Sequence, residues 1–120
     1  NMLFVTVNTR EGEIGILPHH TNLMSQLAPG EMRIKNGDKE RVMAIGSGLL
    51  EVTNNILIIA TDLAESLEDI DEKVAEEARK RAEAALEQTQ TDEEYATAMA
   101  NLEKALAQLK VKRRHQRSPQ

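Results

Sequence analysis

Residues 45–81 read IGSGLLEVTNNILIIATDLAESLEDIDEKVAEEARKR, and this stretch contains the change from one kind of structure to another. All six glycines lie at or before Gly48, and the chain from Leu49 to Ser118 has neither glycine nor proline. Upstream, runs of branched residues are separated by turn residues, which is typical of β-structure. Downstream, Ala, Glu, Lys, Arg and Leu dominate, which favours helix. The sequence therefore predicts a β domain over residues 1–64 and a helical unit over residues 65–120.

The β half is divided by three turn signals. Asn36-Gly37 predicts a type I′ hairpin turn between strands at 32–35 and 39–43. Further bends are expected at 46–48 and 54–55. Short strands at this spacing predict an antiparallel β-sandwich or barrel. Because the chain opens directly on an apolar strand, we expect the first strands of the sandwich to be missing.

The helical half predicts two helices that form a hairpin. Asp69 with Glu72, and Thr91 with Glu94, fit the capping-box pattern, so the helices are expected to start near Ile70 and Asp92. Each helix carries apolar residues at steps of three or four, which predicts facing stripes. The predicted stripes are Val74, Ala78, Ala82 and Leu86 with Ala75 and Ala85 on the first helix, and Tyr95, Met99 or Ala98, Leu102, Ala105 or Leu106, and Leu109 on the second.

The alanine content of these stripes predicts a weak seam. A buried carbon group contributes about 0.8 kcal/mol, so an alanine seam gains a fraction of what a leucine seam gains. High helix propensity keeps each helix intact if the seam opens. A mobile hairpin with two states and a permanently packed hairpin both remain open at this point.

Composition excludes several classes of function. Cysteine is absent, and His19, His20 and His115 lack metal or triad spacing, so we expect no catalytic residue and no metal site. Aromatic residues make up 2% of the chain and net charge is -5, which argues against nucleic-acid binding. No apolar run is long enough to span a bilayer.

Charge is unevenly distributed along the chain. Residues 1–64 carry 7 acids and 5 bases, residues 65–94 carry 12 and 4, and residues 95–120 carry 1 and 6. The acidic middle and the basic end attract each other if they fold side by side. If they separate, the basic end becomes available to another acidic surface.

One motif carries a resemblance to a known family. Residues 12–20 read GEIGILPHH, and they are followed by LAPG at 27–30, MRI at 32–34, GSGLLEV at 46–52 and the alanine-rich hairpin. Over essentially the whole chain this order resembles the epsilon subunit of bacterial F-type ATP synthase. The chain departs from the family at its start, where the family has further strands, and at His19, where Gly or Asn is more usual.

The resemblance implies a non-catalytic subunit on the rotor's central stalk, which couples the proton-driven ring of c subunits to the catalytic head. The sandwich would bind the gamma subunit and the c-ring, with Glu11, Glu13 and His20 as the candidate c-ring contacts. Solvation of the two carboxylates, and a hydrogen bond of His20 within its own loop, are the alternative explanation of these residues. The protein would lie peripherally on the cytoplasmic face of the bacterial plasma membrane, associated with it only through the complex.

The resemblance also implies a mobile hairpin that inhibits ATP hydrolysis when it extends. A set of basic residues near the C-terminus would then meet the catalytic alpha and beta subunits. These residues are Lys110, Lys112, Arg113, Arg114 and Arg117. Complementarity to the helix dipole and solubility are the alternative explanation of this charge.

Some relatives bind ATP through the pattern [IL]-D-x-x-R-A, and residues 70–75 here read IDEKVA. Val74 replaces the arginine, and two further arginines of the family fall at Lys104 and Gln108. We therefore expect no cofactor and weak or no ATP binding. A nucleotide-sensing module and an unrelated helical adaptor are the alternative functions. The residues that match the nucleotide pattern are Glu65, Ile70, Asp71, Ala75 and Arg81.

Overall fold

The computed structural model describes residues 3–19 and 21–116, which form a β-sandwich followed by a helical hairpin. The elements in chain order are β1 (Leu3–Thr9), β2 (Gly12–Ile16), β3 (Leu23–Leu27), β4 (Gly30–Asn36), β5 (Lys39–Ile45), β6 (Gly48–Thr53), β7 (Ile56–Thr61), β8 (Ala64–Ser66), a short 3-10 helix (Leu67–Asp69), α1 (Glu72–Leu86) and α2 (Asp92–Gln116).

The strands form one antiparallel sheet that folds over on itself. Its order is β7-β6-β3-β1-β4-β5-β8, and β2 pairs with the other edge of β1. Within the described residues, β1 and β3 meet at a single pair, Thr9 with Leu27, so the sheet divides there into two layers. The layer with β6 and β7 covers the layer with β4 and β5. This arrangement confirms the predicted antiparallel sandwich.

The sandwich core lies between the two layers. Alternate residues of each strand point inward, so Val5 and Val7 of β1 meet Leu50 and Val52 of β6 in one cluster. Leu50 is fully buried, and Ile45 at the end of β5 is 1% exposed. The core therefore depends on the strand alternation that the sequence pattern predicts.

Two of the predicted turns have different geometries from each other. Asn54 and Asn55 both have positive φ, 52° and 64°, which is the type I′ pattern, and they join β6 to β7. At the β4–β5 hairpin the central residues are Gly37 and Asp38, since Asn36 already pairs with Lys39. Gly37 alone has positive φ there, 65°, which fits a type II′ turn, so the predicted type I′ turn was wrong.

The helix starts follow the local capping residues. Thr91 Oγ1 accepts from the Glu94 N–H at 3.0 Å, as predicted, and Glu94 Oε1 accepts in return from the Gln90 N–H at 2.8 Å. For α1 the cap is Asp71, whose Oδ1 accepts from the Val74 N–H at 3.1 Å. The predicted cap at Asp69 was wrong because that residue ends the 3-10 helix. None of the described helices is long and apolar enough to cross a membrane.

Candidate functional site

The two helices pack along a seam made largely of alanine. Ala75 and Ala82 of α1, and Ala98 and Ala105 of α2, are each 5% exposed or less. Such methyl groups bury little area, so the seam holds the helices together weakly compared with a leucine seam. The alanine-lined hairpin is thus confirmed, although part of the predicted stripe is wrong. The predicted positions that prove to be exposed are Val74, Ala85 and Tyr95, and of the alternatives Ala105 and Leu106 it is Ala105 that is buried.

Helix α2 also packs against β4 and β5, so it lies between α1 and the sandwich. Val111 is fully buried in a small cluster with Val42, Ala44 and Ile70. Since residues alternate along β5, Val42 and Ala44 point towards α2 while Ile45 points into the sandwich core. We call this group of four side chains the docking cluster.

Two hydrogen bonds from α2 flank the docking cluster. Gln108 Nε2 donates to Glu65 Oε1 at 2.6 Å, which connects the middle of α2 to β8. Lys112 Nζ donates to the carbonyl oxygen of Leu67 at 3.1 Å. Docking of the hairpin therefore combines a few small apolar contacts with polar contacts to the segment that links the two domains.

Arg113 connects the end of α2 to the start of α1. Its Nε donates to Glu72 Oε2 at 2.7 Å and its Nη2 donates to Glu76 Oε1 at 3.1 Å. The hydrogen bond to Glu72 is the main cause that raises the pKa of Arg113. The pKa of Glu76 is lowered to about 2, chiefly by a hydrogen bond from Arg79 and further by Arg113. Arg113 thus adds ion pairs between the two helices where the end of α2 meets the start of α1.

The next two residues of α2 turn to the sandwich and meet Glu31 of β4. His115 Nε2 lies 3.0 Å from Glu31 Oε1, and Arg114 Nη1 lies 3.6 Å from Glu31 Oε2. Arg33 Nη1 on the same strand also donates to Oε2, at 3.1 Å. The Glu31 side chain is 7% exposed, so this carboxylate is nearly enclosed by its cationic partners.

The predicted inhibitory residues therefore differ in what they contact. Lys112, Arg113 and Arg114 are engaged within the chain, whereas Lys110 is exposed and Arg117 lies outside the described residues. Sequence reasoning missed Glu31 and His115. The only signal was a carboxylate in β4 on the face that it shares with the apolar residues of β5.

The predicted nucleotide residues are only partly brought together. Ile70 belongs to the docking cluster, Ala75 lies in the helix seam, and Asp71 caps α1. A cavity of about 510 Å³ between α1 and α2 is lined by Arg81, Lys104 and Gln108 among others. Val74, at the position of the missing arginine, is 57% exposed and does not line this cavity. Glu65 is already hydrogen-bonded to Gln108.

The predicted c-ring contacts lie along the β2 edge of the sandwich. Glu11 is exposed in the turn before β2, and Glu13 within β2 has a 53% exposed side chain whose Oε2 is 3.8 Å from Arg33 Nη2. His20 lies outside the described residues. The loop after β2 is held at the far end of the strand, where the His19 N–H donates to Asn55 Oδ1 at 2.7 Å. A partner that touches both ends must therefore run along β2.

The outer face of the layer formed by β3, β6 and β7 carries several exposed apolar side chains. They are 51% to 68% exposed and stand on neighbouring strands of one sheet, with Glu51 paired between Met24 and Ile58. Large apolar side chains grouped on one exposed face in this way mark an interaction surface. We call it the outer apolar face, and its members are Met24, Leu49, Ile56 and Ile58.

Comparisons with known proteins cover both halves of the chain. Residues 1–67 match the family described as ATP synthase, Delta/Epsilon chain, beta-sandwich domain, and residues 68–113 match its long alpha-helix domain. The ATP synthase epsilon chain of Hydrogenovibrio crunogenus is 44% identical over 107 residues, which cover 89% of this chain and 74% of that one. The epsilon chain of Pediococcus pentosaceus is 39% identical over 110 residues, which cover 89% and 79%.

Solved structures with a similar fold come from rotary ATP synthases. A chain of the Euglena gracilis mitochondrial ATP synthase, OSCP/F1/c-ring, matches with a TM-score of 0.66 and 30% identity. That match covers 83% of this chain and 63% of the Euglena chain. A chain of the Tetrahymena thermophila central stalk and c-ring has a TM-score of 0.61 at 14% identity, which reflects the fold alone.

Proposed function

The chain belongs to the ATP synthase delta/epsilon family, and on this premise we propose that it is a non-catalytic stalk subunit that binds gamma and the c-ring and inhibits ATP hydrolysis through its hairpin. The observation that carries the proposal is the match of both domains, together with the outer apolar face of the sandwich. We further propose that residues 1–64 attach the subunit to the rotor and residues 65–120 regulate it. In this role it is peripheral to the cytoplasmic face of the plasma membrane.

The outer apolar face supports a contact with the gamma subunit. Ile58 of β7 is 52% exposed on this face and pairs with Glu51 of β6, and Leu49, two residues before Glu51, is 51% exposed. Burial of large aliphatic side chains contributes about 1.5–3 kcal/mol each, so such a face supplies much of the affinity for a stable partner. The edge of β2, with Glu11 and Glu13, remains available for the polar loops of the c-ring.

The gamma contact is tested by assembly with purified ATP synthase lacking this subunit. Ile58→Asp is expected to weaken co-purification with gamma by tenfold or more, because it introduces a charge into an apolar interface. Val74→Asp is the matched control, since Val74 is 57% exposed on α1 and away from this face. Equal binding of both variants would contradict the proposed face.

The c-ring contact is tested by site-specific cross-linking. The chain has no cysteine, so Glu11→Cys and Glu13→Cys each introduce a single thiol. We expect both to cross-link to c subunits in the assembled complex, while a cysteine at the exposed Asp38 in the opposite turn does not. Cross-linking from Asp38→Cys alone would reject the β2 edge as the contact.

Extension of the intact hairpin would release Lys112 from the Leu67 carbonyl oxygen and Arg114 from Glu31, while Arg113 keeps its partners on α1. The acidic surface of the catalytic subunits would then replace Glu31 as a counter-charge. Neutralising Lys110, Lys112, Arg113 and Arg114 together is expected to relieve inhibition of hydrolysis in the assembled enzyme. Unchanged inhibition would remove the electrostatic contact from the proposal.

A second candidate function is nucleotide sensing at the cavity between α1 and α2. Arg81 and Lys104 line it and offer cationic groups to a triphosphate, but the Val74 position contributes none. A triphosphate needs several converging cations or N–H groups, so we propose weak or no binding of ATP. Calorimetric titration with Mg-ATP checks this, and micromolar affinity that Arg81→Ala abolishes would establish the alternative.

A further inference from the structure

Neighbouring residues at the C-terminal end of α2 contact different elements of the structure. Arg113 bonds to Glu72 and Glu76 and so ties α2 to α1. Arg114 and His115 turn the other way and reach Glu31 in the sandwich. Closing of the hairpin and docking of the hairpin onto the sandwich are therefore served by separate ion-pair networks, one residue apart.

We propose that Glu31 is a socket that holds the end of α2 on the sandwich, so that this single carboxylate controls release of the hairpin as an intact unit. This inference rests on the proposed function only where it concerns the effect of hairpin release on ATP hydrolysis by the enzyme. The socket itself is an intramolecular contact of this chain.

The geometry of the carboxylate supports this role. Both oxygens of Glu31 have nitrogen atoms of α2 beside them, His115 Nε2 3.0 Å from Oε1 and Arg114 Nη1 3.6 Å from Oε2. Arg33, on the same strand as Glu31, completes the socket, because its Nη1 donates to Glu31 Oε2 at 3.1 Å. A nearly buried carboxylate is costly unless it is paired and hydrogen-bonded, so its cationic partners set the stability of the docked position.

The rest of the docking interface is small, so the contacts of Glu31 are a substantial part of it. Among the described residues, the docking cluster has Val111 as its contribution from α2, while the linking segment adds Ile70 and the partly buried Leu63 and Leu67. Helix α1 makes far fewer contacts with the sheet than α2 does, so it is carried by α2. Loss of the socket would therefore tip an interface to whose apolar cluster the described part of α2 contributes a single valine.

The other charged groups around the socket do not replace Glu31 as the partner of Arg114 and His115. Glu13 Oε2 lies 3.8 Å from Arg33 Nη2 and shares that guanidinium with Glu31. Lys112, one turn earlier on α2, is bonded to the Leu67 carbonyl oxygen instead. Glu31 is thus the carboxylate in direct contact with both Arg114 and His115.

The test uses spin labels on the isolated chain. Cysteines at Asp38, in the β4–β5 turn, and Asp92, at the start of α2, report the distance between sandwich and hairpin. A second pair, Lys73 and Gln116, reports separation of α1 from α2. The absence of native cysteine makes both labelled pairs unique.

Glu31→Gln is expected to raise the undocked population about tenfold, which corresponds to ~1.4 kcal/mol, while the α1–α2 distance stays unchanged. Glu31→Lys should raise it further. Glu40→Lys, an exposed carboxylate on the neighbouring strand β5, is the matched control and should leave docking as it is. An unchanged distance distribution in Glu31→Lys would overturn the socket, as would an equal effect of Glu40→Lys.

A double-mutant cycle tests the contact from the other side. Arg114→Gln with His115→Gln should undock the hairpin to a similar extent without altering the sheet. Adding Glu31→Gln to that variant should change nothing further, and an additive effect would overturn a direct contact. Hydrolysis by the assembled enzyme is measured separately: undocking without a change in hydrolysis would keep the socket and reject the proposed inhibition.

Discussion

Truncation of one valine should reveal how weakly the hairpin is docked. Val111 is fully buried in the docking cluster, and Val111→Ala removes two carbon groups at about 0.8 kcal/mol each. The burial term is therefore about 1.6 kcal/mol, which shifts an equilibrium by somewhat more than tenfold. Alanine also has the higher helix propensity, which offsets part of this loss by roughly 0.5 kcal/mol.

The same Val→Ala substitution at an exposed helix position separates the gain in helix propensity from the loss of buried apolar surface. Val74→Ala changes the same atoms in α1, but Val74 is 57% exposed and loses little burial. Spin labels on cysteines at Asp38 and Asp92 measure undocking directly, since α2 keeps its own backbone hydrogen bonds when the intact hairpin is released. We expect the undocked population to be about tenfold larger in Val111→Ala than in Val74→Ala. Equal populations in the two variants would refute the claim that this small cluster limits release.

Three further variants test the fold and the ion pairs. Gly48→Ala should destabilise the sandwich by roughly 3 kcal/mol in urea unfolding, because its Cβ would overlap the Ala60 carbonyl oxygen. Gly12→Ala is the control, since its φ of 121° also strains an alanine but its Cβ meets no atom within 4 Å, so it should cost less than Gly48→Ala. Thr91→Ala should lower stability by ~1 kcal/mol through loss of the α2 cap, and an unchanged unfolding midpoint would contradict that role. Since the pKa of Glu76 is lowered from 4.5 to about 2, its contribution is present above pH 4.5 and is lost as pH falls towards 2. In melting curves at low salt, Glu76→Gln should therefore flatten the fall in Tm across that range, and a fall as steep as in the parent would count against the Arg79 and Arg113 pairs.

The sandwich and the hairpin were predictable from local patterns. Strand alternation and the Asn54-Asn55 turn act over a few residues, and the capping pair of Thr91 and Glu94 acts within one helical turn. The predicted cap at Asp69 failed because the chain first forms a short 3-10 helix, so the capping role passes to Asp71. The predicted position of the β4–β5 turn was wrong by one residue, because strand pairing extends to Asn36 and leaves Gly37 in the first central position.

The candidate site was harder to predict because it joins distant segments. His115 and Glu31 are 84 positions apart, and no local pattern couples them. Tyr95 fitted a helical stripe, but α2 is shared between α1 and the sandwich, so its buried face is set by two partners. Val74 of α1 fitted a stripe as well, but α1 packs mainly against α2 and buries Ala75 instead. The run of branched residues at 56–59 predicted a strand but not an exposed apolar face, and Ile56 and Ile58 prove to stand on the outer side of β7.

The most direct test of the whole account is to prevent the hairpin from moving. Glu65→Cys and Gln108→Cys replace two side chains whose polar atoms are 2.6 Å apart, and a short bifunctional thiol reagent joins them. Single-cysteine variants treated in the same way control for modification. The account predicts that an enzyme assembled with the cross-linked chain hydrolyses ATP without inhibition, while both controls inhibit it. Equal inhibition by the cross-linked chain would contradict inhibition through a mobile hairpin.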